Sequence, residues 1–207
     1  MDRNAKPQKR ALTPRGAATK RRIVEAAASL IYARGVERVS LDDVMEASGA
    51  SKSQLYHYFD NKDGLVREVI ELQASRILQT NALHFERLDS FAALHAWREA
   101  MVAANRAWGG VGGCPLGSLA NDLAAQSEQA RRQLDQSFAA WGMVIEAGLS
   151  RMKEMGQLRS CVDARGMAVA VLAAIQGGIL LSKTTRNSEP LELALDMALS
   201  HIERHAV

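Results

Sequence analysis

Apolar residues return every three or four positions in nearly every segment past residue 13, the spacing of helices that bury one stripe, rather than alternating as strands do. Alanine is abundant and clusters of Val, Ile and Thr are few, so the pattern predicts an all-α fold. Thr13 followed by Pro14 marks the first helix start, and Gly35 stops that helix near Arg34, with Ile23, Ala27, Leu30 and Ile31 as its buried stripe. Ser40 caps a second, short helix whose positive first turn holds Asp42 and Asp43; Leu41, Val44 and Met45 point inward before Gly49 ends it. Ser51 caps a third. Two short helices joined at a glycine turn, behind a longer one that packs across them, predict a helix-turn-helix unit.

Longer helices follow. Their expected spans are Lys62 to near Arg87, Ser90 to near the glycines at 109–113, Pro115 to near Ala125, Ser127 to Met155, Asp163 to near Lys183, and Glu189 to His205. This divides the chain into an arm over residues 1–12, a head over 13–60 and a larger helical body over 61–207. In the stretch "ASKSQLYHYFDNKDGL" only Leu55 and Phe59 sit four apart as anchors, and Lys52, Ser53, Gln54, Tyr56 and His57 are left facing outward. Tyr58 can face either way.

Charge sharpens this picture. The formal net charge is only +3, yet residues 1–22 carry eight Lys and Arg against Asp2 alone. A polyanion near the N-terminus explains that concentration economically, because cations that neutralise phosphates release counterions; a solvated leader is the alternative. The chain of 207 residues, 47% hydrophobic and 24% charged, is long enough for a substantial core. No apolar run is read as approaching the ~20 residues that span a bilayer. The N-terminus lacks the apolar centre of a signal peptide, so the chain is expected to stay in the cytoplasm without membrane contact. Cys114 and Cys161 lie far apart and the five histidines form no ligand cluster, so neither a metal nor another cofactor is expected.

A helix-turn-helix lays its second short helix in the major groove, where polar tips read base edges and flanking groups hold phosphates. Gln54 suits an adenine edge, His57 can donate or accept, and Lys52 can reach a guanine or a phosphate. Ser40 can offer a phosphate both its hydroxyl and its backbone N–H. The run "TKRRIVEAAASLIYARGVERVSLDDVMEASGASKSQLYHYFDNKDGLVREVI" resembles the DNA-binding head of the TetR/AcrR family of bacterial transcriptional regulators. Gln54 stands where that family commonly has threonine or serine. The resemblance implies phosphate contacts from Ser40, Tyr56 and Lys62, and base or backbone contacts from Lys52, Ser53, Gln54 and His57. It also implies a homodimer on a partly palindromic double-stranded operator, released by a small-molecule effector.

The last two helices are the expected dimer surface, through Leu172, Ile175 and Ile179 on one and Leu191, Leu195 and Ile202 on the other, with Gly177 and Gly178 allowing close approach. The same stripes can instead close the chain's own core. Trp97, Met101, Trp108, Phe138 and Trp141 supply apolar and aromatic surface for an effector pocket. The segment "GGVGGCPLGSLANDLA" resembles a "GCxxGxLAxEL" segment in one branch of the family, which includes regulators of multidrug resistance and of responses to reactive compounds. Its Cys114 precedes Pro115 at a helix start, where the dipole favours a thiolate that an electrophile would attack; burial in a tight corner would do the reverse. An enzyme is not supported, since no nucleophile-base pair or phosphate loop is present. An architectural DNA-binding protein with a protein partner is the remaining alternative.

Overall fold

The computed structural model describes residues 12–207, so nearly all of the basic arm lies outside the described residues. Among the described residues there are ten helices and no strand beyond an isolated bridge between Leu158 and Ala206, as the all-α expectation requires. The chain divides into a compact unit ending at Val69 and another running from Ile70 to Val207.

The first unit contains α1 (Pro14–Arg34), α2 (Leu41–Ser48), α3 (Lys52–Tyr58) and the opening turns of α4 (Lys62–Thr80). Each start is capped by the residue the sequence marks. Thr13 Oγ1 accepts from the Gly16 N–H at 3.2 Å, and Ser40 and Ser51 each close a reciprocal capping box with the residue three positions on. Gly49 takes a left-handed φ of 63°, which turns the chain between α2 and α3. Ile23, Ala27 and Ile31 of α1 are buried, as are Val44, Leu55, Phe59 and Leu65, and this small core fixes the helix-turn-helix.

The second unit holds the rest of α4, then α5 (Ala82–Glu86), α6 (Phe91–Ala107), α7 (Pro115–Leu123), α8 (Glu128–Glu154), α9 (Ala164–Thr185) and α10 (Glu189–Glu203). The helix expected from Lys62 to Arg87 is broken at Asn81. Asn81 Nδ2 donates back to the Ile77 carbonyl at 2.8 Å, while its Oδ1 accepts from Trp97 Nε1 at 3.2 Å. A tertiary partner on α6 thus ends a helix that local periodicity would continue.

Helix α9 packs on α8 and, most extensively, on α10. A Cβ at Gly178 would stand 2.8 Å from Leu191 Cα, so that glycine allows α9 and α10 of one chain to meet backbone to backbone. Beside it Ser182 Oγ accepts from the Leu191 N–H at 3.3 Å. The 22-residue α9, in which an 18-residue stretch has a mean hydropathy of 1.7, is long and apolar enough to cross a membrane, contrary to the reading that no segment approaches that length. One face of it lies in the core of the unit, where Met167, Val171 and Ile175 are buried, and Val169, Leu180 and Leu181 are exposed.

Candidate nucleic-acid interface

Lys52, Ser53, Gln54, Tyr56 and His57 are all exposed on α3, with Leu55 beneath them fully buried. Five polar and aromatic side chains are therefore held over one buried anchor. Tyr56 is 47% exposed, whereas Tyr58 is half-buried, its hydroxyl 3.3 Å from where a Cβ on Gly16 would stand. Tyr58 thus leans on the start of α1 and supports the neighbouring His57, whose ring meets it edge-on at 4.9 Å.

Three of the proposed contacts are already engaged within the chain, Lys62 only weakly. Gln54 Oε1 accepts from the Ser51 N–H at 3.0 Å, and the Gln54 N–H donates to Ser51 Oγ at 3.2 Å. A bidentate grip on adenine needs both the oxygen and the nitrogen of the amide, so it competes with the cap. Ser40 is engaged more completely: its N–H donates to Asp43 Oδ2 at 2.7 Å, its hydroxyl donates to the same oxygen, and Oγ accepts from the Asp43 N–H. In the chain without DNA, both groups that Ser40 is expected to offer a phosphate are thus held by Asp43. Hydrogen bonds from the Ser40 side chain and backbone hold the Asp43 carboxyl below its ordinary value, with help from Arg34 and Lys62. Lys62, half-buried, donates weakly to the Glu37 carbonyl at 3.4 Å. The sequence places Asp43 in this first turn but not as the partner of Ser40; its place three positions after Ser40 was the available signal.

The residues named for the dimer surface are mostly in the wrong place for it. Ile175, Leu191, Leu195 and Ile202 are buried in the core of their own unit, and Leu172 and Ile179 are half-buried. Gly178 serves the α9–α10 contact within one chain, whereas a Cβ on Gly177 would meet nothing. The free apolar residues are instead Val169, Leu180 and Leu181 on α9 and Leu193 and Met197 on α10. A groove of about 490 Å³ opens between the two helices, lined by Met167, Ala170, Ala174, Met197 and His201 among others.

The aromatic candidates separate in the same way. Trp97 is fully buried against Phe85, ring centroids 5.6 Å apart, with its N–H satisfied by Asn81, so it is a core residue. Trp108, at the end of α6, is 71% exposed and encloses nothing. Met101 and Phe138 are half-buried and Trp141 is buried. Cys114 is the N-cap of α7, with Sγ accepting from the Gly117 N–H at 3.4 Å. Burial pushes its thiol up, against the smaller opposing pull of Gly117, the Gln176 amide and Leu116. The helix start is where the sequence puts it, but the thiolate that the dipole would favour is not.

Comparison with known proteins agrees with this arrangement. A family model for the C-terminal domain of LmrA/YxaF-like transcriptional regulators matches residues 90–197, and one for bacterial regulatory proteins of the tetR family matches residues 23–69. An HTH-type transcriptional regulator from the lacX 3′ region of Lactococcus lactis subsp. lactis is 28% identical over 199 residues, 90% of this chain and 94% of its own. The HTH-type transcriptional regulator LmrA of Bacillus subtilis is 29% identical, over 84% of this chain and 90% of its own. A crystal structure of a TetR transcriptional regulator from Chloroflexus aurantiacus superposes with a TM-score of 0.80 at 22% identity, over 94% of this chain and 98% of that one.

Proposed function

This chain belongs to the TetR family of bacterial DNA-binding transcriptional regulators, and from that premise we propose that it is a homodimeric repressor released from its operator by a small effector. Proteins of this family are regulators and not enzymes, which accords with the lack of any catalytic grouping in the sequence. The observation that carries the reading is the row of Lys52, Ser53, Gln54, Tyr56 and His57 exposed over buried Leu55. Such a helix presents hydrogen-bonding tips to base edges while its neighbours hold phosphates.

One head reads only a few base pairs, so two heads about one helical turn (~34 to 36 Å) apart are needed for a selective site. The exposed apolar face of α9 and α10 supports pairing by a four-helix seam across a two-fold axis, with Val169, Leu180, Leu193 and Met197 buried between protomers. A small apolar or electrophilic effector in the body would favour a state with the wrong head spacing. A coupling of about 1 to 3 kcal/mol, roughly 5- to 150-fold in DNA affinity, is enough. The protein would act in the cytoplasm, where its operator is, and a bound dimer would exclude polymerase.

Run-off transcription tests the direction of regulation. With a bound site overlapping a promoter, adding the purified protein should reduce transcript, and an effector should restore it. Unchanged or increased transcript would contradict repression.

A further inference from the structure

Four donor groups converge on one carboxylate in the head. Asp43 Oδ2 accepts from the Ser40 N–H at 2.7 Å and from the Ser40 hydroxyl, while Arg34 Nη1 stands 3.7 Å from Oδ1. Lys62 attracts the same carboxyl through space. These groups come from the end of α1, the N-cap of α2 and the start of α4, all within the unit that ends at Val69.

A helix cap alone does not account for that gathering. In a capping box the acidic side chain returns to the N-cap backbone N–H, which uses one of the four groups. The hydroxyl proton and the two cations are additional. A serine hydroxyl, a backbone N–H at a helix start, a guanidinium and an ammonium are also the groups that hold a phosphate oxygen. Asp43 therefore fills with a carboxylate the donor set that a DNA backbone would use.

The arrangement is open to replacement. Ser40 is exposed, and the Arg34 and Asp43 side chains are 53% and 36% exposed. Lys62 is only loosely held, by the Glu37 carbonyl at 3.4 Å. The Asp43 carboxyl lies below its ordinary value, through the Ser40 bonds first, so it is an anion at neutral pH. Protons that Ser40 gives to Asp43 are not free for a phosphate, and a phosphate brought onto them would face the carboxylate charge. Asp42, the other acid of this turn, is exposed and makes none of these bonds.

We infer that Asp43 is an internal competitor for the DNA backbone: its carboxylate holds Ser40, Arg34 and Lys62 until a phosphate displaces it. This rests on the reading of Ser40 and Lys62 as phosphate contacts, and it adds the group that opposes them. Because phosphates carry no sequence information, the competition lowers affinity for every duplex by a similar factor and leaves sequence preference to α3.

Fluorescence anisotropy with the full chain and a labelled duplex of mixed sequence, over a series of salt concentrations, tests this. Asp43→Asn and Asp43→Gln each keep an oxygen for the Ser40 N–H and remove the charge, so one poorly folding variant does not decide the matter. Each should bind about fivefold tighter than the unaltered chain. The fall of log K with log salt should steepen by about one for each head, since a released cation then neutralises one more phosphate. A second duplex of unrelated sequence should show the same gain. Asp42→Asn should gain at most about twofold, the effect of an exposed charge outside the donor set. Equal gains from Asp42→Asn and Asp43→Asn, or unchanged or weaker binding in both Asp43 variants, would overturn the inference. Lys62→Met separates the two readings. If it weakens binding while the Asp43 variants gain nothing, the phosphate contact stands and the competitor falls; if it changes nothing, both fall.

Discussion

Arg98 on α6 and Asp196 on α10 form a two-pronged ion pair, Nε to Oδ1 and Nη2 to Oδ2, both at 2.9 Å. His95 to Glu203 and Arg106 to Glu192 extend it into an antiparallel ladder along the same two helices, each at 2.7 Å. The guanidinium is the best buried member, its side chain only 12% exposed, and Asp196 holds it above its ordinary pKa. A planar fork on a carboxylate fixes orientation as well as distance. The ladder therefore sets where α10, half of the proposed dimer seam, lies against α6.

Replacing that fork with an apolar chain of similar length should cost stability. Arg98→Met is expected to lose about 1 to 2 kcal/mol, less than a fully buried pair would, because Asp196 is half exposed. Urea denaturation of the full chain reads this directly, and an unchanged midpoint would show the ladder to be ornamental to folding.

The two roles of Gln54 can be separated by charge. Gln54→Glu keeps an oxygen for the Ser51 N–H and places a carboxylate in the first turn of α3, so folding stability should hold. DNA affinity should fall, since the new charge faces phosphates and cannot donate to adenine. Gln54→Ala should instead cost about 0.5 to 1 kcal/mol of stability and relax sequence preference at one position. Equal loss of stability in both variants would place Gln54 differently.

On the exposed face of α10, Met197→Glu should yield a folded monomer, because Met197 is 67% exposed in the single chain and costs that chain nothing to replace. Sedimentation velocity would show a shift from two chains to one, with helical content kept. A variant that remains dimeric would move the seam elsewhere.

Two glycines in α8 should respond oppositely to the same change. A Cβ on Gly142 meets nothing, so Gly142→Ala should raise stability by up to about 1 kcal/mol through helix propensity. On Gly148 it would collide with the Leu88 carbonyl oxygen, where Arg151 also donates from the next turn of α8. Gly148→Ala should therefore lower stability by about 1 to 3 kcal/mol. Thermal melts of the two variants compare the effects within one helix.

Capping made the early helix starts legible in the sequence: Thr13, Ser40 and Ser51 each accept from the backbone N–H that a cap should, and Ser90, Ser127 and Asp163, where later spans were expected to begin, do the same. The break at Asn81 was hidden because its cause is Trp97, sixteen residues away and on another helix. α9 misled for a different reason. It is apolar on nearly every side, so periodicity identifies a helix but not which face turns inward, and Ile175 went to the core while Leu180 stayed out. On α3 the outward row was readable from Leu55 and Phe59, but the engagement of Gln54 and Ser40 by their own caps depends on rotamers that spacing does not specify.

The central claim is that the α3 face selects DNA sequence as one half of a two-fold pair. Selection of bound duplexes from a random pool by the purified full chain, followed by a shift assay on the enriched site, addresses it most directly. An inverted repeat with half-sites about one or two helical turns apart is expected, bound by paired protomers and weakened by Gln54→Ala. Binding that is salt-sensitive but enriches no repeat would contradict the claim and point to an architectural role.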